Sequence, residues 1–245
     1  MGPSPRKQRE IREREELILD VAVKMLIERG FNYLTMDRIA DAIEYSKGTV
    51  YQHFSCKEDL LATFAVRNSE RRSELFARAL EFKGNTRERM TAIGVAFDVL
   101  MTLYPERSKA ETLYHASHVR EKASERSKAE LKAADQRCDD LVGGLIREAV
   151  EVGDLPLGEE GALPALHLGL WGLSWGSYQI VETLEPAELS ERGFEDPVAA
   201  LHMNQERLMD GFGWTPLRCE HDYDAVRRRV REQIFSAEQR QIENR

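Results

Sequence analysis

A chain of 245 residues with 42% apolar and 32% charged side chains has the composition of a soluble globular protein, long enough for one or two domains with their own cores. Its three cysteines, Cys56, Cys138 and Cys219, are far apart and form no CxxC, so no disulfide framework or zinc knuckle is readable and a cytoplasmic setting fits best. The net charge of −8 is unevenly spread: ten Lys and Arg meet nine Asp and Glu through Lys57, a balance of +1 that leaves −9 on the remainder, so overall acidity does not exclude a nucleic-acid partner. The start, MGPSPRKQRE, has no signal-peptide pattern, and the most apolar stretch, Leu163–Leu184, is too interrupted by Gly, Ser, Gln and His for a membrane span.

Residues 1–9 read as a disordered basic tail. From Glu10 to Arg29, Leu17, Ile18, Val21, Ala22, Met25 and Leu26 recur at helical spacing, and Gly30 supplies a stop. Thr35 is a good N-cap for a short helix with Met36, Ile39, Ala40 and Ile43 on one stripe. Ser46 caps the next, Lys47–His53, with Val50 inward, and Ser55-Cys56-Lys57-Glu58 matches a capping box before a long helix. Further helices are expected at 58–82, 85–104, 106–121, 124–152, 162–185, 196–212 and 223–242, with a loop at 186–197. No period-2 run signals a sheet, so the fold class is all-α. The domains expected are a helix-turn-helix head at 10–57, a helical ligand-binding and dimerisation body at 58–220, and an amphipathic terminal helix at 221–245.

Three short helices, the last two joined by a tight turn, form a helix-turn-helix unit whose third helix would enter the major groove. Lys47 can reach a phosphate or a guanine edge. Gly48 lets the backbone lie close to DNA, and Thr49 offers a hydroxyl and a methyl to bases. Tyr51, Gln52 and His53 offer donors to phosphate oxygens, and Gln52 also suits adenine. Thr35 and Lys57 stand at helix starts, where backbone amides favour phosphates.

The run Thr35-Met36-Asp37-Arg38-Ile39-Ala40, then Ser46-Lys47-Gly48-Thr49-Val50-Tyr51-Gln52-His53-Phe54, then Lys57-Glu58-Asp59-Leu60-Leu61, resembles the signature of the TetR (tetracycline-repressor) family, over roughly residues 11–66. The resemblance implies a homodimer, usually a repressor released from a palindromic operator by a small ligand. It gives Tyr51, His53, Thr35 and Lys57 to phosphates and Lys47, Gly48, Thr49 and Gln52 to bases. One departure stands out. The family's turn reads Ala-Gly-Val, and here it is Ile43-Glu44-Tyr45, so either the turn is reshaped or Glu44 tolerates a left-handed backbone.

The body is less specific. Trp171, Trp175 and Tyr178 share a helical face beside Gly169, Gly172 and Gly176, which reads as a buried or intersubunit helix or as a pocket wall. Val198, Leu201, His202, Gln205, Leu208, Met209 and Phe212 would supply the partner helix of a four-helix dimer interface. Other pocket candidates are Phe97, Met101, Tyr104, Tyr114, His118, Cys138 and Leu141. Glu111, His115 and His118 have ligand-like spacing, but with no second cluster no metal or other cofactor is expected. Arg227, Arg228, Arg229 and Arg231 sit on a terminal amphipathic helix that would pack on the body.

No GxSxG, P-loop, HExxH or dinucleotide loop is present, so an enzyme is not expected. An interaction module without DNA binding is the other alternative, opposed by the intact Lys47, Gly48, Tyr51 and His53. The reading is a ligand-responsive DNA-binding repressor with a small hydrophobic or aromatic effector, partnered by operator DNA and a second copy, and no membrane.

Overall fold

The structure, a computed structural model, describes residues 4–115, 117–156 and 158–244, the side chains of residues 107, 117 and 118 excepted. It is all-α: α1 (Pro5–Arg29), α2 (Met36–Ala42), α3 (Lys47–His53), α4 (Lys57–Ala79), α5 (Thr86–Leu103), α6 (Pro105–His115), α7 (Ser117–Arg120), α8 (Glu125–Glu151), α9 (Ala162–Thr183), α10 (Pro186–Glu191), α11 (Pro197–Gly211), α12 (Tyr223–Gln233) and α13 (Ser236–Glu243). No strand occurs among the described residues, and no helix among them is long and apolar enough to cross a membrane.

Three elements differ from the sequence reading. Helix α1 begins at Pro5 rather than Glu10, because the Ser4 hydroxyl accepts the Lys7 N–H and Pro5 occupies the first helical position, so most of the expected disordered tail is helix. The expected loop at 186–197 contains α10, which starts at a proline and whose Glu188 carboxylate accepts the Glu185 N–H at 3.0 Å. The terminal helix is broken into α12 and α13 at Phe235, which is fully buried, and Arg78 donates to the freed Ile234 carbonyl at 2.7 Å.

The chain forms two compact units, and both α4 and α8 contribute residues to each. The first unit holds Met1–Arg71 and Tyr104–Gln136. Its core joins Ile18, Leu19, Ile39, Val50, Leu60 and Leu61 to Ala110 and Tyr114 of α6, Val119 of α7 and Leu131 of α8. Burying each large aliphatic is worth about 1.5–3 kcal/mol, so α6, α7 and the start of α8 are structural parts of the head's own unit. The expected boundary at 57/58 does not coincide with this division.

A carboxylate ties these segments together. Asp59, buried near the start of α4, accepts the Ser124 N–H at 2.8 Å and the Ser127 hydroxyl at 3.0 Å, so it caps α8 from another helix. Burial pushes the Asp59 carboxyl up, but hydrogen bonds from Ser124, Ser127 and Ser55 outweigh it and hold the group below its ordinary value.

The second unit holds Arg72–Leu103 and Arg137–Arg245. Helix α5 is its centre and is buried almost all round, with α9 on it and α12 and α13 covering another side. Arg87 is 0% exposed. Its guanidinium donates to the carbonyls of Trp214, Pro216 (2.9 Å) and Glu206 (3.0 Å), pairs with Asp210 at 2.7 Å and lies over the Tyr223 ring. The arginine-rich run packs as an amphipathic cap: Val226 and Val230 are buried, Arg227 reaches Glu206 at 2.7 Å, and Arg229 reaches Glu88 at 2.6 Å.

Asp59→Asn should lower the melting temperature at pH 7, by the few °C that ~1–2 kcal/mol gives in a chain of this size. The sign follows from the depressed folded-state pKa: the contribution is full above the unfolded value near 4 and is lost as pH falls through the lower folded value. The gap between wild type and Asp59→Asn should therefore close below about pH 4 in thermal melts. A gap that persists unchanged at pH 3 would remove the ionised cap as its cause.

Candidate nucleic-acid interface

The reading head is built from two capped helices and one strained turn. The Thr35 hydroxyl accepts the Arg38 N–H at 3.2 Å and starts α2. The Ser46 hydroxyl accepts the Thr49 N–H at 3.1 Å and starts α3. Between them the Tyr45 N–H returns to the Ala40 carbonyl (3.1 Å) and the Glu44 N–H to the Asp41 carbonyl (3.3 Å), the paired bonds of a Schellman stop. That motif needs a left-handed residue after the cap, and Glu44 supplies it at φ 58°. Glu44 is the one described non-glycine residue with positive φ. The turn therefore keeps the geometry that a glycine suits and carries the strain of a side chain, about 1–2 kcal/mol.

Val50 and Phe54 anchor α3 in the core, which leaves Lys47, Gly48, Tyr51 and Gln52 exposed on one face, Tyr51 by 51%. Lys47 forms an exposed ion pair with Asp37 at 2.5 Å, and that hydrogen bond raises its pKa. Gly48 has ordinary helical geometry. A methyl added there would meet only Ser46 Oγ, at 3.7 Å, so nothing within the chain requires a glycine.

The remaining expected contacts are placed differently. Thr35 and Thr49 are half-buried; Thr35 Oγ1 is engaged in its cap, and Thr49 Oγ1 lies 2.8 Å from Ser46 Oγ. The His53 ring is only 6% exposed, with Nδ1 3.4 Å from Glu15 of α1, so it is set into the head rather than offered to solvent. Lys57 donates to the Phe31 carbonyl at 3.1 Å and lies over the Phe31 ring, which clamps the α1–α2 loop.

The pocket candidates fall into both units. Tyr104 and Tyr114 belong to the first, where Tyr114 is core and Tyr104 lies under the Arg71 guanidinium at 4.3 Å. The side chain of His118 lies outside the described residues. Phe97, Met101, Cys138 and Leu141 belong to the second. Phe97 packs edge-on to Tyr178 at 5.5 Å, Met101 is buried, Leu141 half-buried, and Cys138 Sγ sits 3.0 Å from the Ser73 hydroxyl. Trp171, Trp175 and Tyr178 do not share one environment: Trp171 is 60% exposed, Trp175 half-buried, and Tyr178 buried.

Tyr178 donates to Asp98 Oδ1 at 3.0 Å, while His202 Nε2 is 2.8 Å from Asp98 Oδ2 and Arg231 lies 3.6 Å away. This buried polar knot is missed by sequence periodicity. Its available signal is a lone aspartate inside the apolar run Val95–Met101. Leu201, His202 and Met209 of α11 are also buried within the chain, so the apolar face expected for a partner subunit is in part used internally. Gly169 allows the close approach of α11, since a methyl there would come to 2.8 Å from Leu208, whereas Gly172 and Gly176 face open space.

A capped α2, a left-handed stop and a short α3 with an exposed polar face define a helix-turn-helix protein. The profile of bacterial regulatory proteins of the tetR family matches residues 18–63. The HTH-type transcriptional activator FasR of Mycolicibacterium smegmatis is 28% identical over 134 residues, 55% of this chain and 59% of that protein. The HTH-type transcriptional regulator TcmR of Streptomyces glaucescens is 28% identical over 102 residues, 41% of this chain and 42% of that protein. The matched region thus spans about two fifths to three fifths of the length of these relatives. A bacterial regulatory protein in the tetR family from Rhodococcus RHA1 superposes with TM-score 0.62 at 16% identity, covering 82% of this chain and 97% of that one. FadR from Bacillus subtilis in complex with stearoyl-CoA gives 0.61 at 17% identity, covering 80% and 98%. At that identity the likeness is one of fold. Over residues 18–63 the chain matches the DNA-binding segment of the tetR family, and the relatives and structures named here are regulators rather than enzymes.

Glu44→Gly should stabilise the protein by about 1 kcal/mol, relief of the left-handed strain outweighing the extra freedom of the unfolded chain. That is a rise of roughly 2–4 °C in melting temperature. An unchanged or lower value would mean that Glu44 carries no strain.

Proposed function

We propose that the protein is a DNA-binding transcriptional regulator of the cytoplasm that acts as a homodimer on a palindromic operator and is released by a small hydrophobic or aromatic effector, which makes it a repressor. The observation that carries this reading is Gly48. Glycine inside a helix costs up to about 1 kcal/mol against alanine. Here no positive φ and no close neighbour within the chain justifies it. Its use is therefore external: with Lys47, Tyr51 and Gln52 it makes an exposed polar face with a gap where another backbone can approach. The Lys47–Asp37 pair is exposed, so exchanging the carboxylate for a phosphate costs little. His53 and Lys57 reach phosphates in this reading only if their present contacts open on binding.

The dimer is supported by the surface of the second unit. Leu168, Trp171 and Ile180 are large apolar side chains exposed on α9, beside two glycines with open space above them. A second copy bringing its own α9 and α11 would cover them. Two heads about 34–36 Å apart then enter successive major grooves. An effector that binds better to a differently spaced dimer lowers operator affinity by linkage.

Equilibrium binding to the DNA flanking its own gene, across a salt series, tests the reading. Wild type should bind one short palindromic stretch, with affinity falling as salt rises. Tyr51→Ala and Lys47→Ala should each weaken binding by about ten-fold, or ~1.4 kcal/mol, and Lys47→Ala should flatten the salt slope by about one. Gly48→Ala should melt higher, by up to ~1 kcal/mol of added stability, yet bind the operator more weakly. Gly48→Trp should abolish specific binding with the dimer intact. Specific affinity surviving Gly48→Trp would overturn this placement of the recognition helix.

A further inference from the structure

The first unit holds a buried donor and a buried acceptor that have no hydrogen-bond partner, three residues apart on one helix. Asn68 of α4 is 1% exposed. Its amide nitrogen donates to the carboxylate of Glu111 on α6, also buried, and its Oδ1 has no partner. A carboxylate only accepts, so the amide cannot be turned over to relieve this. Arg71, one turn along the same face of α4, lies over the Tyr104 ring at 4.3 Å, and its buried Nε is also without a partner. The nearby hydroxyls do not fill the gap: Ser108 donates to the Tyr104 carbonyl and Thr112 to the Ser108 carbonyl. Buried polar atoms in folded proteins are nearly always paired, so two orphans of opposite kind on one face call for a group that accepts from one and donates to the other.

We propose that this is the polar end of the effector site, and that the effector carries a hydroxyl, an alcohol or phenol, which accepts from Arg71 Nε and donates to Asn68 Oδ1. A hydroxyl is the smallest group that does both. Arg71 and Glu111 carry opposite charges, which favours a neutral polar group over a fully charged one. Tyr104, a pocket candidate from the sequence whose ring lies under Arg71, supplies an aromatic wall. The assignment rests on the reading of the protein as an effector-responsive regulator, and it narrows the expected aromatic effector to a hydroxylated one.

The test is direct binding to the full-length protein, by calorimetry or saturation-transfer NMR, without DNA. The probes are matched in size: phenol against toluene, and 2-naphthol against 2-methylnaphthalene and 2-naphthoate. The hydroxyl compound of at least one set should bind ten-fold or more tightly than its partners. Asn68→Leu should bring 2-naphthol down to the affinity of 2-methylnaphthalene and leave the latter unchanged. Arg71→Met, at a half-exposed position, should reduce the same ratio should Asn68→Leu not fold. Equal affinities, a preference for 2-naphthoate, or no saturable binding of either hydroxyl compound would overturn the proposal. So would a preference untouched by both substitutions, which would assign the pair to a buried water. Operator binding by the same preparation is scored separately: its loss sinks the regulator reading and leaves the ligand ratio standing.

Discussion

The Asp59 carboxylate sets what counts as the head of this protein. It sits at the start of α4, next to the reading helices in sequence, and accepts the amide of Ser124, the residue 65 positions later that precedes α8. A buried carboxylate held by an amide and by serine hydroxyls is stable only if all the donors stay in place, because removing any one leaves charge poorly solvated. The interaction thereby fixes the start of α8, and with it α7 and α6, against α1 and α4 in a single core. Tyr114 and Leu131 then fill that core beside Ile39 and Val50. The consequence is functional. Helices α2 and α3 are too short to hold a position alone, so their geometry depends on packing against segments drawn from the middle of the chain.

Local chemistry explains why the reading head was legible in the sequence. Thr35 and Ser46 are caps that act within three residues, Val50 and Phe54 follow the helical period, and the match of residue types at fixed spacing identifies the motif. Glu44 is the instructive case. The residue left open a reshaped turn or a strained one, and the backbone keeps the left-handed stop, because both carbonyls at the end of α2 need the amides that only this geometry returns. The wider structure was much less legible. His53 and Lys57 carry the right atoms for phosphates, but Glu15 and the Phe31 carbonyl, 38 and 26 residues away, determine where those atoms point. Periodicity placed Trp171 and Tyr178 on one face, but could not show that Asp98 would draw in only Tyr178. Helix α10 was missed because a proline and a run of acids look like a loop until reciprocal capping is counted.

The second unit gathers its buried carboxylates into networks with several partners each. Asp98 takes the Tyr178 hydroxyl, the His202 ring and the nearby Arg231, and Glu206 takes Arg218 and Arg227 on its two oxygens, although Arg87 Nε and Arg89 Nε stay buried there without a hydrogen-bond partner. Such a network is specific to one arrangement and resists a guest, since any inserted group must break a satisfied bond. The Arg-rich terminal helix is absorbed in the same way, and pairing with the protein's own carboxylates leaves its run poorly suited to nucleic acid.

On α4 a donor and an acceptor are left open together. Asn68 Oδ1 and Arg71 Nε are buried without a hydrogen-bond partner, and each carries a desolvation penalty of about 1–3 kcal/mol until something completes it. A stable fold tolerates such a deficit where a ligand repays it, and there the deficit becomes discrimination, because a molecule lacking the right polar atom leaves the penalty in place. The same helix runs from Lys57, two residues after the Ser55 that also bonds Asp59, so the unsatisfied pair lies less than four turns from the anchor that fixes the head. A group that completes the pair therefore acts on the element that positions the reading helices, and needs no contact with the DNA-facing surface to do so.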